Sequence, residues 1–377
     1  MNNPWPLAVI GALLGVGAAV AVVRFNTAAG VEDNTQLPSL AEDAVHVAAW
    51  VDARLLAAAA SRAEPSNVDA ERPDATPEIL GLREQRDHLY QALTERLNVD
   101  PWTVDLIADI IESSPYAGTG NPESSVHPIS PVQCEARRVH ARLQSDDAAI
   151  CGAPNMVAIF DPKSADVMRS KLCIDQYEFP NIPCEYPLVW VRSSEAVQIC
   201  RTLGKRLCDA HEWEGACAGA VLPTEQEYYF NLTREESAEL HNQRRLRTWL
   251  GSLSPLLDIC GTMSAKNPNC WDVTWEQCGS NTYPAGSFPD CVSPFGAYDM
   301  LGNVAEHMNL PLKGEQLTGR GGLGETEMKG SWFAYDGLVP HPDDCRWRAP
   351  AWHDTPIDSP SSHRNYQLGF RCCKDVD

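Results

Sequence analysis

Gly296-Ala297-Tyr298-Asp299-Met300-Leu301-Gly302-Asn303-Val304-Ala305-Glu306-His307 is the stretch on which the fold turns. It packs an aromatic, two glycines, two carboxylates and an Asn into a dozen residues. Glycine allows sharp turns, so carbonyl oxygens can point inward beside the carboxylates. A loop of carboxylates and inward carbonyls is what a hard cation such as calcium requires. Taken alone, the same residues also describe a buried turn ahead of a short helix.

The chain around this stretch has 377 residues, 44% of them hydrophobic, and a net charge of −21. That length accommodates two or three domains, or one large domain with appendages. The acidic balance excludes nucleic acid as a partner, because phosphate contacts need a basic surface. All 14 cysteines lie between Cys134 and Cys373, and no C-x-x-C occurs. Zinc-ribbon and thioredoxin-type motifs are therefore unsupported, and the cysteines predict disulfides in an oxidising compartment. Their connectivity does not follow from the count.

The uncharged run Trp5 to Val23 has the length of a membrane-spanning helix. Thr27-Ala28-Ala29-Gly30 also offers a cleavage site, so a secreted product of signal cleavage is the alternative. Residues 1–4 lack Lys and Arg, and Arg24 sits on the flank the positive-inside rule disfavours. The cysteines place the chain outside the cytoplasm, in the periplasm or at the cell surface. With no cysteine near the run, a lipoprotein anchor is excluded.

The expected organisation is a membrane anchor or signal at 1–30, a helical region at 31–112, a linker at 113–155 and a main domain at 156–377. Ser39-Leu40-Ala41-Glu42 is a capping-box pattern opening an Ala-rich helix that ends near Arg62. Thr76-Pro77 starts a second helix, with Ile79, Leu82, Leu89, Leu93 and Leu97 on one face. Asp100-Pro101 opens a third, and the set predicts a small bundle or stalk. Ser, Pro and Gly from Ser113 to Pro131 suggest the linker. Beyond it, Leu172 to Asp175 and Lys205 to Cys208 read as short strands. Helices are expected over Ser193 to Leu203, stopped by Gly204, and over His211 to Ala218, opened by the Asp209/Glu212 capping box. The charged stretch Leu232 to Gly251 reads as partly helical, and charge runs elsewhere as solvated faces. Gly319-Arg320-Gly321-Gly322-Leu323-Gly324 matches G-x-G-x-x-G but lacks the flanking strand and helix of a dinucleotide site. G-x-S-x-G and H-E-x-x-H are absent.

Six short motifs occur in a fixed order. They are Cys173-Ile174-Asp175-Gln176-Tyr177-Glu178, then Gly204-Lys205-Arg206-Leu207-Cys208-Asp209-Ala210-His211-Glu212-Trp213-Glu214, then Tyr298 through Glu306. Gly330-Ser331-Trp332, Cys345-Arg346 and Gly369-Phe370-Arg371 complete the series. Over roughly residues 156–374 this series resembles the formylglycine-generating enzyme, or sulfatase-modifying factor, domain family. The resemblance implies an α+β fold related to C-type lectin-like domains, with little regular secondary structure.

It further implies a calcium site in the opening stretch. Asp299 and Glu306 would supply side-chain oxygens, and Gly302 and Val304 backbone carbonyls. Enzymes of this family oxidise a cysteine in a sulfatase peptide with molecular oxygen and copper(I) held by two cysteines. Paired thiolates are the soft donors that copper(I) prefers. By position the first of these is Ala334 here, and the second is Cys345 ahead of Arg346-Trp347-Arg348. One copper ligand is thus missing, and Cys345 is expected to form a disulfide with Cys372 or Cys373. Cys345 and Ser331 remain the catalytic candidates, and Trp332, Arg346 and Arg348 the residues expected along the peptide groove. An Arg-Trp-Arg run also fits a stacked structural cluster. His307 is expected to pack rather than ligate.

Two functions are expected from this resemblance. One is a calcium-stabilised extracytoplasmic module that binds a peptide or protein. The other is a metal- and oxygen-dependent oxidoreductase modifying a protein cysteine, or a divergent oxygenase of the same family.

Overall fold

The computed structural model describes residues 79–139, 147–160, 170–248, 259–334, 344–349 and 355–376, with backbone alone at 246–248. Packing divides the chain into Met1–Ser66 and Asn67–Asp377. The first unit, with the apolar run Trp5 to Val23 and the Ala-rich helix, lies outside the described residues. Among those described, no helix is long and apolar enough to cross a membrane.

Helix α1 (Leu82–Leu97) begins where the Glu84 carboxylate accepts the Gly81 N–H at 3.0 Å, and ends at Asn98 with φ 55°. Helix α2 (Pro101–Ser113) starts as its sequence predicts. Asp100 accepts the Thr103 N–H at 3.1 Å, and Pro101 takes the first helical position, where no N–H is needed. The inner faces of both helices, Leu93, Ile107 and Ile111, join Phe179, Val197 and Phe370 in one buried cluster. These helices are therefore a wall of the main domain and not a separate bundle or stalk.

The expected linker is also part of the packed body. It carries helix α3 (Pro131–Arg138), capped by Ser130. Cys134 bonds to Cys184, and Asn121 Nδ2 donates to the Trp275 carbonyl at 2.8 Å. Composition signalled a boundary at residue 113 that packing does not observe, because Ser, Pro and Gly also build tight, hydrogen-bonded loops.

The strands are short. One sheet has the order β1-β2-β7-β3, where β1 is Met156–Ile159, β2 Leu172–Asp175, β3 Arg206–Leu207 and β7 Cys372–Asp375, all pairs antiparallel. The second has the order β5-β4-β6, with β4 Ala305–Leu310, β5 Glu325–Lys329 and β6 Leu368–Phe370. Strand β4 runs antiparallel to β5 and parallel to β6, and all its side chains are buried. The opening loop thus leads into the central strand of a sheet rather than into a helix. A wholly buried strand loses the polar/apolar alternation by which a half-exposed strand is recognised.

Helix α4 is the single turn Ala148–Cys151, and α5 spans Ser193–Thr202. Gly204 follows α5 with φ 67°, as a helix-terminating glycine does. Helix α6 (Ala210–Ala218) packs on β1, β4 and β5, with Trp213 fully buried. Helices α7 (Thr224–Glu227) and α8 (Arg234–Thr248) follow. The glycine-rich match near Gly319 begins in a turn of 3-10 helix, Thr318–Arg320. Helices and short strands mixed in one body make this an α+β fold.

Seven disulfides brace it: Cys134–Cys184, Cys151–Cys173, Cys200–Cys372, Cys208–Cys373, Cys217–Cys345, Cys260–Cys291 and Cys270–Cys278. No cysteine is free. The expected partners of Cys345 are corrected. Cys372 and Cys373 are taken by α5 and by the residue after β3, and Cys345 is joined to Cys217 on α6, Cα to Cα 5.5 Å.

Candidate functional site

The loop before β4 is shaped by residues in the left-handed region: Gly296, Asp299, Gly302 and Asn303 all have positive φ. At Gly302 a Cβ would lie 2.9 Å from the Gly261 nitrogen, so only glycine fits. Gly302 N donates to Ser331 Oγ at 2.8 Å, which ties the two motifs together. Asn303 accepts from Tyr283 N at 2.8 Å and donates through Nδ2 to Glu178 at 2.6 Å and to the Tyr283 carbonyl at 3.1 Å. Val304 N donates to the other Glu178 oxygen at 3.1 Å.

Three buried carboxylates, Glu178, Asp299 and Glu306, converge here. Glu306 is gripped on both oxygens by Arg371, at 2.7 Å each, and its Oε2 also accepts from Trp213 Nε1 at 2.9 Å. Asp299 Oδ2 accepts from Gly286 N at 2.5 Å, whereas its Oδ1 is buried and accepts no hydrogen bond. Burial, and the neighbouring Asp299 and Glu306 charges, push Glu178 well above the usual carboxylate range. Burial likewise raises Asp299 to about 6, against the pull of the Gly286 N–H, Arg371 and Arg138. The cluster sets three carboxyl groups against two arginines, Arg371 and Arg138, and one oxygen is unsatisfied. Both features fit a cation with oxygen ligands. Glu306 remains eligible although paired, because each carboxylate oxygen has two lone pairs and Oε1 uses one on Arg371. His307 is buried and packs, its Nε2 hydrogen-bonded to the Val191 carbonyl at 3.0 Å.

The second set of expected residues does not form a groove. Arg346 and Arg348 are 5% and 0% exposed. Arg346 binds Glu227 Oε1 at 2.5 Å and the Ala220 carbonyl at 2.7 Å. Arg348 grips Glu214 at 2.8 and 3.0 Å, and its guanidinium stacks 4.7 Å from the Tyr228 ring centre. Lys329 Nζ meets Glu214 at 2.9 Å, and His241 Nε2 meets the Arg346 carbonyl at 2.8 Å. The expectation of a groove lined by these arginines is corrected: they are the structural cluster the Arg-Trp-Arg run also allowed. Their partners Glu227 and His241 lie outside the recognised motifs, His241 in the charged stretch read as partly helical. Long-range pairing gives no periodic signal, and Glu214 alone stands inside a recognised motif.

Among the described residues, Glu214, Glu227 and His241 place metal-type donor atoms within 4.8 Å of one another. Three cations, Lys329, Arg346 and Arg348, already hold the two carboxylates there. A further cation would enter a net positive cage, so this group does not fit a metal.

Ser331 and Trp332 lie elsewhere, under an aromatic cluster. Ser331 is buried and bound to the loop. Trp332 meets Phe333 and Tyr366 edge-on at 5.1 and 5.6 Å. Trp190, with φ 57°, stands 6.4 Å from Tyr366 and edge-on to Trp275 at 5.5 Å. The indole N–H groups of Trp190 and Trp332 are buried and donate to nothing among the described residues. Ala334, at the first copper-ligand position, bridges to Met263. Nothing in the local sequence marks Trp190 as part of this cluster.

Residues 170–376 match the family described as the sulfatase-modifying factor enzyme 1-like domain, more than half of the chain. The chain belongs to this family. A solved structure described as the crystal structure of CarF shares 14% identity over 55% of this chain and 87% of its own, at a TM-score of 0.30. No curated protein is a significant match.

Proposed function

We propose that the chain is an extracytoplasmic binding module on the formylglycine-generating scaffold, one that does not itself make formylglycine. The observation that carries this reading is the Cys217–Cys345 disulfide, together with alanine at position 334. Copper(I) oxidation of the family type needs two thiolates, and here one position is alanine and the other sulfur is spent in a disulfide. The arginines that follow Cys345 serve the interior. Trp190, Trp332 and Ser331 are themselves buried, so a peptide taken here would have to open the aromatic cluster; the two indole N–H groups, without a partner among the described residues, are the donors its carbonyl groups would then meet. Seven disulfides fit an oxidising, extracytoplasmic compartment. The run Trp5 to Val23 would hold the chain at a membrane.

The same reading includes structural calcium held by Asp299 Oδ1, Glu306 and the carbonyls of Gly302 and Val304. Its contribution is neutralisation of the buried carboxylates. Copper has no place in it.

The deciding assay supplies a sulfatase-type cysteine peptide, copper and oxygen, then probes the peptide with an aldehyde-reactive hydrazide. No aldehyde is expected, while the peptide should slow hydrogen exchange around residues 331–334. Aldehyde formation would establish the oxidoreductase reading in its place.

A further inference from the structure

A disulfide closes Cys270 to Cys278 into a small surface loop, Cα to Cα 4.6 Å. Two tryptophans in it behave oppositely. Trp275 turns inward, stacking on Tyr116 at 5.1 Å, and its carbonyl accepts from Asn121 at 2.8 Å. Trp271 is 83% exposed. The base of the loop that carries Trp271 is fixed on both sides. Cys270 and Cys278 are buried, Cys278 N donates to the Thr274 carbonyl at 3.0 Å, and Asn267 Nδ2 reaches the Ser124 carbonyl at 3.2 Å. Two residues on, Val273 is held at φ 53° and is exposed. That conformation is strained for a β-branched side chain.

An exposed tryptophan on a rigid support has already met most of the ordering cost of binding, which is how dominant interface residues are built. The chemistry around it selects the partner. Asp272 and Glu276 are exposed carboxylates in the same closed loop. The face of an indole attracts an ammonium or guanidinium ion, and the net charge of −21 draws cations toward the chain. We infer that the Cys270–Cys278 loop is a docking knob for an arginine- or lysine-rich segment of a partner protein, with Trp271 stacking on a cationic side chain and Asp272 and Glu276 pairing with its neighbours. Trp275 joins the base of this loop to the Trp190 and Trp332 cluster, edge-on to Trp190 at 5.5 Å, while Trp271, Asp272 and Glu276 lie on the solvent side.

The test uses the full chain and a fluorescently labelled, acetylated peptide of alternating Arg and Gly, read by anisotropy. Trp271→Ala is expected to weaken binding about fivefold or more, and Asp272→Asn with Glu276→Gln to a similar degree. Asp105→Asn with Asp109→Asn removes the same charge from an exposed face of α2 and should leave binding within about twofold. Melting curves of all variants should match the wild type, since these side chains are exposed. Absence of peptide binding, equal binding by Trp271→Ala, or equal weakening by the α2 pair would overturn the inference. So would protection of Trp271 by a neutral oligosaccharide that the peptide does not compete for.

Discussion

Glu227 shows what a single buried carboxylate does to this molecule. One oxygen holds Arg346; the other accepts no hydrogen bond and faces His241 Nδ1 at 3.8 Å. Burial pushes its pKa up from 4.5 to about 7. A raised folded-state value means that its contribution is complete below the unfolded value and is lost as pH rises through about 7. Burial holds His241 neutral, down to about 3, so its contribution runs the other way and is lost as pH falls below 6.5. The two partly cancel in the whole protein, but a difference between variants separates them. Glu227→Gln cannot ionise, so its melting temperature should rise relative to wild type between about pH 5 and 8. A constant gap across that range would show that Glu227 keeps its ordinary pKa. Cys345 gives a second test at this scale. Non-reducing peptide mapping should recover it cross-linked to Cys217. Cys217→Ser with Cys345→Ser should cost about 2–5 kcal/mol of stability, measured by denaturant unfolding. Recovery of Cys345 as a free thiol would reopen the copper chemistry.

Among the elements, α1 and α2 are the ones whose role changed most between sequence and structure. Their starts and faces were legible, because capping and helical spacing are local properties. Their destination was not, because an apolar face says only that something covers it. That cover is α5 with Phe179 and Phe370. Leu93→Ala should therefore destabilise the main domain by about 2–5 kcal/mol and shift one shared melting transition. A separate early transition for these helices, seen by calorimetry, would restore the stalk. Strand β4 makes the complementary case: Ala305 to Leu310 is buried on both faces, so no alternation was there to read.

At the scale of the whole molecule, the carboxylates of Glu178, Asp299 and Glu306 are gathered from a turn after β2, the loop before β4 and β4 itself. Three carboxyl groups meet two arginines there, and the raised values of Glu178 and Asp299 show that burial without a further cation disfavours their charged forms. A bound calcium ion would stabilise the folded state by mass action, as any ligand specific to it does. Calcium should raise the melting temperature of the wild type, and a chelator should lower it by several degrees. Asp299→Asn should abolish the response while keeping the fold. A wild-type melting curve indifferent to both additions would remove calcium from the account.

The sequence by itself determined the family, the order of the motifs, the turn glycines and the need for disulfides. These depend on residue identity over short spans: a glycine where φ is positive, a cap three residues from its helix. It also supplied the missing copper ligand, since Ala334 is read directly. Only the tertiary structure decided that Cys345 joins Cys217, 128 residues away, and that Arg346 and Arg348 turn inward to Glu227 and Glu214. Disulfide and buried ion-pair partners are chosen by distances of a few ångströms in space. Chain order carries no record of those distances until the core has brought the elements together.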